Sequence, residues 1–157
     1  MGRLAVKGET SGLQLVETER AGEDYRLQDQ IGFILRKAHQ RHVAIFASRI
    51  GDLTPPQFAA LAKLHDIGEI SQNQLGALVA MDAATIKGVI DRLKARGLVE
   101  IAPDKADKRR LLVRLTQDGR TAIERLIPLA QDITTETLTP LSAREAATLL
   151  KLLARIA

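Results

Sequence analysis

Hydrophobic residues recur at helical spacing along most of this chain, and the segments that carry them begin and end at capping residues. A long helix is predicted from Leu27 to about Ile50. Thr54-Pro55-Pro56-Gln57 opens a second helix, with a capping hydroxyl and a proline at the first helical position. Thr116 is predicted to cap a later helix, and the capping box Ser142-Ala143-Arg144-Glu145 opens the last one.

Two shorter helices are predicted in the middle of the chain. Ser71 caps the first, and Asp82 caps the second after a turn of a few residues. Gly97 ends the second helix as a left-handed C-terminal residue. The second helix has one apolar face, formed by Ile86, Val89, Ile90 and Leu93. Two adjacent helices joined by a tight turn, with one exposed polar face, indicate a helix-turn-helix.

Two short apolar runs follow this helix pair and predict strands. Leu98–Ala102 and Leu111–Leu115 are rich in Val, Leu and Ile, and the second run alternates as a half-buried strand does. The segment between them, residues 103–110, is too charged for a core. A helix-turn-helix followed by a hairpin with a basic tip is a winged helix. The predicted fold is therefore mainly α with a small two-stranded β-wing, and its second helix would enter the DNA major groove.

Several short motifs, in this order and at these spacings, resemble the MarR family of bacterial transcription factors. The resemblance covers roughly residues 27 to 155. The motifs are Leu53-Thr54-Pro55-Pro56-Gln57-Phe58, Leu75-Gly76, Asp91-Arg92-Leu93 with Gly97-Leu98-Val99, Asp104-x-x-Asp107-x-Arg109, and Val113-x-Leu115-Thr116-x-x-Gly119. The resemblance implies a dimeric repressor that a small molecule, often a phenolic or aromatic carboxylic acid or its conjugate, releases from DNA.

The same patterns give a domain organisation. Residues 1–24 are polar, without a sustained period, and are expected to form a mobile arm. Residues 25–157 are expected to form one domain, with the winged helix at about 53–116. Dimerisation helices are expected at about 27–50 and 117–157, because the last helix is leucine-rich and a monomer would leave it partly exposed.

The distribution of charge supports a nucleic-acid partner. From Asp82 to Arg120 there are ten Lys and Arg against six Asp and Glu, and the rest of the chain has thirteen of each. The whole net charge of +4 therefore lies on the predicted DNA-binding unit. An aromatic content of only 3% argues against single-strand binding, which relies on base stacking.

Other function classes find little support in the sequence. No phosphate-binding loop, nucleophile elbow or metal-ligand cluster is apparent, so no enzyme activity and no cofactor are expected. The chain has no cysteine, which excludes a thiol switch. No apolar run approaches the ~20 residues of a membrane span, so a cytoplasmic protein without a membrane partner is expected.

The predicted interface places its residues on both helices of the pair and on the wing. A twofold dimer would present two recognition helices to a palindromic double-stranded operator of roughly 16–22 base pairs. Arg109 at the wing tip suits a narrow minor groove, and Asp107 would hold its guanidinium in place. The other candidates for DNA contact are Ser71, Gln72, Ala84, Thr85, Lys87, Gly88, Arg92, Lys108 and Arg110. Gly88 would either allow close backbone approach or be a tolerated surface glycine.

The resemblance to MarR proteins implies an effector pocket between the first long helix, the Thr54 helix and the helix after the wing. Cationic or proton-donating side chains there that could meet an acidic ligand are Arg36, His39, His42 and Arg49. The two histidines could instead be structural, or could hold zinc through their spacing on one helix face. Two further functions stay open, a winged-helix module that binds a protein and no DNA, and a zinc-responsive regulator.

Overall fold

The computed structural model describes residues 25–157, so the predicted mobile arm lies outside the described residues. A short 3-10 turn at Leu27–Asp29 precedes six helices and three strands within this range. In chain order these are α1 (Ile31–Arg49), α2 (Pro55–Ile67), β1 (Glu69–Ile70), α3 (Gln72–Leu78), α4 (Ala83–Ala95), β2 (Val99–Pro103), β3 (Leu111–Leu115), α5 (Gln117–Leu138) and α6 (Ala143–Leu153).

The first helix begins later than the sequence predicted. Gln30 is extended, with φ of −84° and ψ of 132°, and it separates the 3-10 turn from α1. Its side chain does not cap the helix, whereas the N-terminus of α2 has a complete capping box between Thr54 and Gln57. Ser142 and Glu145 form the same arrangement at the start of α6. The predicted helix starts at Thr54 and Ser142 are therefore confirmed.

The helix-turn-helix consists of α3 and α4, and its boundaries follow from local chemistry. The Ser71 side chain accepts a hydrogen bond from the Gln74 amide at the start of α3. At the end of α4, Gly97 has φ of +70°. Its amide donates to the Lys94 carbonyl at 2.9 Å, and the next amide, that of Leu98, donates to the Leu93 carbonyl at 3.0 Å. This pair of bonds is a Schellman motif, which requires the left-handed residue that Gly97 supplies.

The sheet has three antiparallel strands in the order β1-β3-β2, one more than the sequence predicted. In the wing, Val99 of β2 lies opposite Leu115 of β3, and Ile101 lies opposite Val113. The additional strand β1 pairs through Ile70, also opposite Val113 on the other edge of β3. Strand β1 has only two residues, too few for an alternating pattern to be visible in the sequence.

One core joins α1, α2, the helix pair, the wing strands and α5. Its fully buried side chains include Leu61, Leu64, Leu75, Ile90 and Ile123. Helix α6 contributes no buried residue to this core. The predicted fold class, mainly α with a small β-wing, is confirmed, and the sheet has one strand more than the two predicted. Among residues 25–157 no helix combines the length and apolar character needed to cross a membrane.

Candidate nucleic-acid interface

The outward face of α4 is polar and basic because its other face is fixed in the core. Ile86, Ile90 and Leu93 are completely buried, and Val89 nearly so. That orientation leaves the side chains of the predicted base- and phosphate-contacting residues Ala84, Thr85, Lys87 and Arg92 exposed, with Gly88 half-buried among them. The structure therefore brings all five predicted α4 residues to one accessible side of a single α-helix, the kind of element that a major groove admits.

Asp82 positions the beginning of this surface. Its Oδ1 atom accepts a hydrogen bond from the Thr85 backbone amide at 2.7 Å, which is an N-cap. This hydrogen bond, together with one from the Ala84 amide, holds the pKa of the Asp82 carboxyl below its ordinary value. The carboxylate thus stays charged at neutral pH and fixes the first turn of α4, where Ala84 and Thr85 lie.

Two of the basic residues on α4 have different local partners. The Lys87 ammonium lies 2.6 Å from a carboxylate oxygen of Asp91, one turn later on the same face. Arg92 forms no ion pair within residues 25–157, and its guanidinium lies back over Gly88. A Cβ atom added at Gly88 would meet Nη1 of Arg92 at 3.8 Å, an ordinary contact distance. The protein itself therefore does not require glycine at position 88.

The beginning of α3 presents the two predicted phosphate contacts. Ser71 and Gln72 are both half-buried at the N-terminus of this helix. The Ser71 hydroxyl donates to the Gln74 side-chain oxygen at 2.7 Å, while its oxygen accepts from the Gln74 amide. Free backbone amides at a helix N-terminus suit a phosphate oxygen. Gly76 later in α3 is buried, and its absent side chain allows Ile86 of α4 to pack closely.

The wing tip is ordered by two aspartates, and one of them acts differently from the prediction. Asp107 does not hold the Arg109 guanidinium; its Oδ1 atom accepts from the Arg109 backbone amide at 3.0 Å. Asp104 does the same for the Ala106 amide at 2.8 Å. A short carboxylate side chain reaches the backbone two residues on more readily than it reaches the end of an arginine. The wing side chains Lys108, Arg109 and Arg110 are all exposed.

Some positive charges of this region are already balanced by acids. Arg114 on β3 donates to Glu100 at 2.7 Å and has Glu69 at 3.9 Å on its other side. Arg110 lies 3.8 Å from Asp104. Lys105, Lys108 and Arg109 form no ion pair in the part of the chain that the structure describes, and all three are exposed. The wing therefore offers three uncompensated cations at its tip.

The four predicted effector residues do not form one cluster. Arg36 and His39 are exposed on α1, and His42 is half-buried. His39 and His42 both line a hollow between α1 and the ends of α5 and α6. Arg36 does not line this hollow. Arg49 lies at the far end of α1, where it forms a 2.6 Å ion pair with Glu136 of α5.

The environment of His42 favours its neutral form. Burial, and then the neighbouring His39, lower its pKa from the ordinary value. Its Nδ1 atom lies 3.2 Å from the Thr137 hydroxyl, and that hydroxyl donates to the Ile133 carbonyl at 2.7 Å. Because the hydroxyl has only one hydrogen, His42 Nδ1 is the donor. The other ring nitrogen is then an acceptor, which does not suit an anion. No group of three potential metal ligands is found among residues 25–157.

A further site, which sequence reasoning missed, is a cavity of about 350 Å³ near the end of α4. We call it the arginine cavity because Arg49, Arg96 and Arg125 line it. These arginines lie in α1, after α4 and in α5, so no local motif joins them. Arg49 alone was among the sequence candidates. The arginine cavity lies next to the C-terminus of the helix whose outward face is described above.

Comparison with known proteins agrees with this geometry. Residues 53–111 match the model of the MarR family. The chain is 42% identical over 134 residues to the HTH-type transcriptional repressor NicR of Pseudomonas putida. This match covers 84% of this chain and 85% of that protein. A crystal structure of a probable transcriptional regulator from Pseudomonas aeruginosa is 55% identical, with a TM-score of 0.80, covering 84% of this chain and 100% of that one.

A second solved structure connects the fold with a ligand. Bordetella bronchiseptica BpsR is 42% identical to this chain, with a TM-score of 0.81, and the match covers 85% of this chain and 97% of that one. Its structure is described as a mechanism for regulation of BpsR DNA binding by 6-hydroxynicotinic acid. Both the fold and the sequence of the present chain are therefore similar to those of transcriptional regulators.

Proposed function

We propose that this chain, which belongs to the MarR family of transcriptional regulators, is a dimeric repressor that binds a palindromic duplex operator and releases it when a small organic acid binds. The observation that carries the proposal is the basic outward face of α4 beside the wing. The buried face of α4 fixes its orientation, and the net charge of +4 lies entirely between Asp82 and Arg120. Such a footprint attracts the phosphate backbone.

Each part of this surface has a distinct role in the proposal. Thr85 and Lys87, near the N-terminus of α4, contact base edges or phosphates in the major groove. Ser71 and Gln72 at the start of α3 fix the register through phosphates. Arg109 enters the adjacent minor groove, and Lys108 adds salt-sensitive affinity. The remaining proposed contacts are made by Ala84, Gly88, Arg92, Asp107 and Arg110.

The unpaired apolar face of α6 supports a homodimer. Leu150 and Leu152 are about half exposed, at 48% and 50%, although they belong to a helix with many apolar residues. On α1, Ile31 and Ile34 are similarly exposed, at 59% and 48%. Contiguous apolar surface of this kind marks an association site in a soluble protein. A twofold dimer through these helices would place two copies of α4 about one DNA turn apart.

An acidic effector is supported by the relative BpsR and by the cations around the protein's own cavities. In the proposed mechanism, the dimer exists in states that differ in the separation of the two α4 helices. A ligand that prefers the separation unsuited to DNA lowers operator affinity by that preference. The relatives of this chain are transcriptional regulators, and no observation favours an enzyme. No cluster of metal ligands is found among residues 25–157, so no observation favours a zinc sensor either.

Footprinting tests this proposal directly. The purified full chain is incubated with DNA from upstream of its own coding sequence, and the DNA is cleaved with hydroxyl radicals. We expect protection of an inverted repeat of roughly 16–22 base pairs, with two equivalent halves. Protection of a single half-site would contradict the dimeric arrangement. No protection at any site, with the protein folded, would favour a winged-helix module that binds another protein.

A further inference from the structure

Three charged side chains lie side by side across the three strands of the sheet. Glu69 of β1 is opposite Arg114 of β3, and Arg114 is opposite Glu100 of β2. The Arg114 Nε atom donates to Glu100 at 2.7 Å, and its Nη1 atom lies 3.9 Å from a carboxylate oxygen of Glu69. We call these three residues the charge row. Its single guanidinium connects both edge strands to the central strand.

The charge row lies on the face of the sheet that points away from the core. The next row along the strands consists of Ile70, Val113 and Ile101, and Val113 is buried in the core. Because successive side chains of a strand point to opposite faces, the charge row points outward. Its side chains are between 42% and 49% exposed, so they are accessible but not fully solvated.

The sheet joins two parts of the proposed DNA-binding surface. Glu69 is two residues before Ser71, whose side chain caps α3. Arg114 and Glu100 lie in the two wing strands, and the loop between these strands carries Arg109. Strand β1 pairs with β3 through only two residues. The contact between Glu69 and Arg114 therefore adds a side-chain link to a backbone ladder that is otherwise short.

We propose that Arg114 and Glu69 are positioning residues, which hold the wing at a fixed angle to the start of α3 so that both reach DNA together. This inference rests on the proposed function. Arg109 is five residues before Arg114, which corresponds to at most about 17 Å along an extended chain. A rotation of about 10° at the charge row would then move the wing tip by about 3 Å, which is enough to break a hydrogen bond.

The charges of the row distinguish positioning from direct contact with DNA. One guanidinium and two carboxylates give the charge row a net charge of −1, which repels phosphates. If charge alone mattered, removal of either carboxylate would tighten duplex binding. Positioning requires that the same removal weaken duplex binding. The two explanations therefore predict opposite signs for one substitution.

Glu69→Gln is the first test, because it removes a negative charge and the contact with Arg114 together. We expect operator binding to be about two- to fivefold weaker, in line with the energy of a cross-strand pair of opposite charges. The matched control is Asp66→Asn, which removes the same charge from a pair with Lys63 inside α2. The control should bind as tightly as the wild type or more tightly. Unchanged or tighter binding by Glu69→Gln would overturn the proposal.

A double-mutant cycle with Arg109 separates positioning from a general loss of structure. In an Arg109→Ala background the wing tip has no guanidinium to place, so Glu69→Gln should weaken operator binding no further. Arg114→Lys keeps the positive charge but loses the planar fork that contacts two carboxylates, so it should behave as Glu69→Gln does. If Glu69→Gln weakens binding equally with and without Arg109, it does not act through the wing, and the proposal fails.

The angle of the wing has a readout that needs no DNA. The chain contains no cysteine, so spin labels can be attached through Lys108→Cys in the wing and Asn73→Cys in α3. With the labelled chain diluted in an excess of unlabelled chain, pulsed electron paramagnetic resonance measures the distance within one chain. We expect this distance distribution to broaden or shift in Glu69→Gln and to stay unchanged in Asp66→Asn. Identical distributions in Glu69→Gln and the wild type would overturn the proposal.

The two measurements separate this inference from the proposed function. If the wild type binds no duplex, the proposed function fails, and the distances between the labels alone decide whether the charge row holds the wing. If duplex binding is site-specific but neither operator affinity nor the distance between the labels depends on Glu69, only this inference fails.

Discussion

The Lys87 ammonium lies 2.6 Å from the Asp91 carboxylate on the face of α4 that would meet DNA. Both side chains are more than half exposed, so the pair contributes only about 0.3–0.5 kcal/mol to the helix. A phosphate can therefore displace Asp91 from Lys87 at little cost. Asp91 nevertheless places a negative charge near the DNA phosphates. We therefore expect it to weaken the sequence-independent, electrostatic part of duplex binding.

Asp91→Asn is expected to tighten duplex binding about two- to fivefold at low salt, because it frees Lys87 and removes a repulsive charge. The matched control is Asp66→Asn. It breaks a similar ion pair, in which Asp66 lies 3.2 Å from Lys63, and this pair is in α2 and not on the outward face of α4. Fluorescence anisotropy over a salt series measures both. Equal effects of the two substitutions would show that Asp91 acts only through net charge, and not through Lys87.

Arg109→Ala is expected to weaken operator binding by about 1–3 kcal/mol, a factor of about 5 to 150 in Kd. The reason is that Arg109 is exposed at the wing tip with its backbone fixed by Asp107, so its side chain is free for the minor groove. Arg26→Ala, outside the winged helix, removes the same charge as a control. A gel-shift titration in which Arg109→Ala binds as the wild type does would reject its assignment.

Asp82 should make the stability of the helix-turn-helix depend on pH. Because the folded-state pKa of this carboxyl is lowered by its hydrogen bond from Thr85, its charged form stabilises the fold above the ordinary value of 3.8. That stabilisation is lost as the pH falls through the folded-state pKa. At about pH 7 we expect the wild-type protein to have a larger unfolding free energy than Asp82→Asn. The difference between them should shrink toward zero at about pH 2.5.

Urea unfolding at each pH measures that difference. If the gap between wild type and Asp82→Asn is the same at both pH values, charge at the cap is not what stabilises the first turn.

Two glycine-to-alanine substitutions are expected to have opposite effects on stability. At Gly119 an added Cβ would lie 1.9 Å from the Leu98 carbonyl oxygen, so the start of α5 must move away from the wing. We expect a loss of about 1–3 kcal/mol. At Gly88 the added atom meets only the end of Arg92, and helix propensity should stabilise the protein by up to about 1 kcal/mol.

Thermal unfolding measures both effects, and operator affinity separates two roles for Gly88. If this glycine allows close approach of the α4 backbone to DNA, Gly88→Ala binds the operator several-fold more weakly although it is more stable. We expect that result. A more stable protein with unchanged affinity would make Gly88 a tolerated surface glycine.

Leu150→Glu is expected to dissociate the proposed dimer, because it places a charge in the apolar face of α6. The dissociation constant should rise at least about tenfold, measured by sedimentation equilibrium. Leu111→Glu is the matched control, since Leu111 is 58% exposed at the tip end of β3, where it lies opposite Pro103 in the wing. If the wild type is a dimer and Leu150→Glu has the same molecular mass in solution, the interface lies elsewhere.

Much of the fold could be predicted because local chemistry sets its boundaries. Asp82 and Gly97 mark the two ends of α4 in the sequence, and the structure places a cap and a Schellman motif there. The apolar spacing of Ile86, Ile90 and Leu93 fixes which face is buried. Once that face is known, the exposure of Thr85 and Lys87 follows from helical geometry alone.

The parts that could not be predicted depend on contacts between distant segments. Strand β1 exists only because two residues pair with β3, more than forty positions later. The arginine cavity assembles Arg96 and Arg125 with the end of α1, and no spacing within the sequence encodes that meeting. The sequence correctly identified Asp107 as a residue that fixes Arg109. Its carboxylate accepts from the Arg109 backbone amide, however, whereas a contact with the Arg109 guanidinium was expected.

The central claim is that the α4 face and the wing bind duplex DNA at a specific site. It is tested most directly by the fluorescence anisotropy of a labelled duplex from the chain's own upstream region, beside a random duplex, across a salt series. We predict at least about a thousandfold preference for the upstream duplex and a steep fall in affinity with salt for both. Weak binding without site preference would contradict the account, and Arg109 would then be only a surface charge.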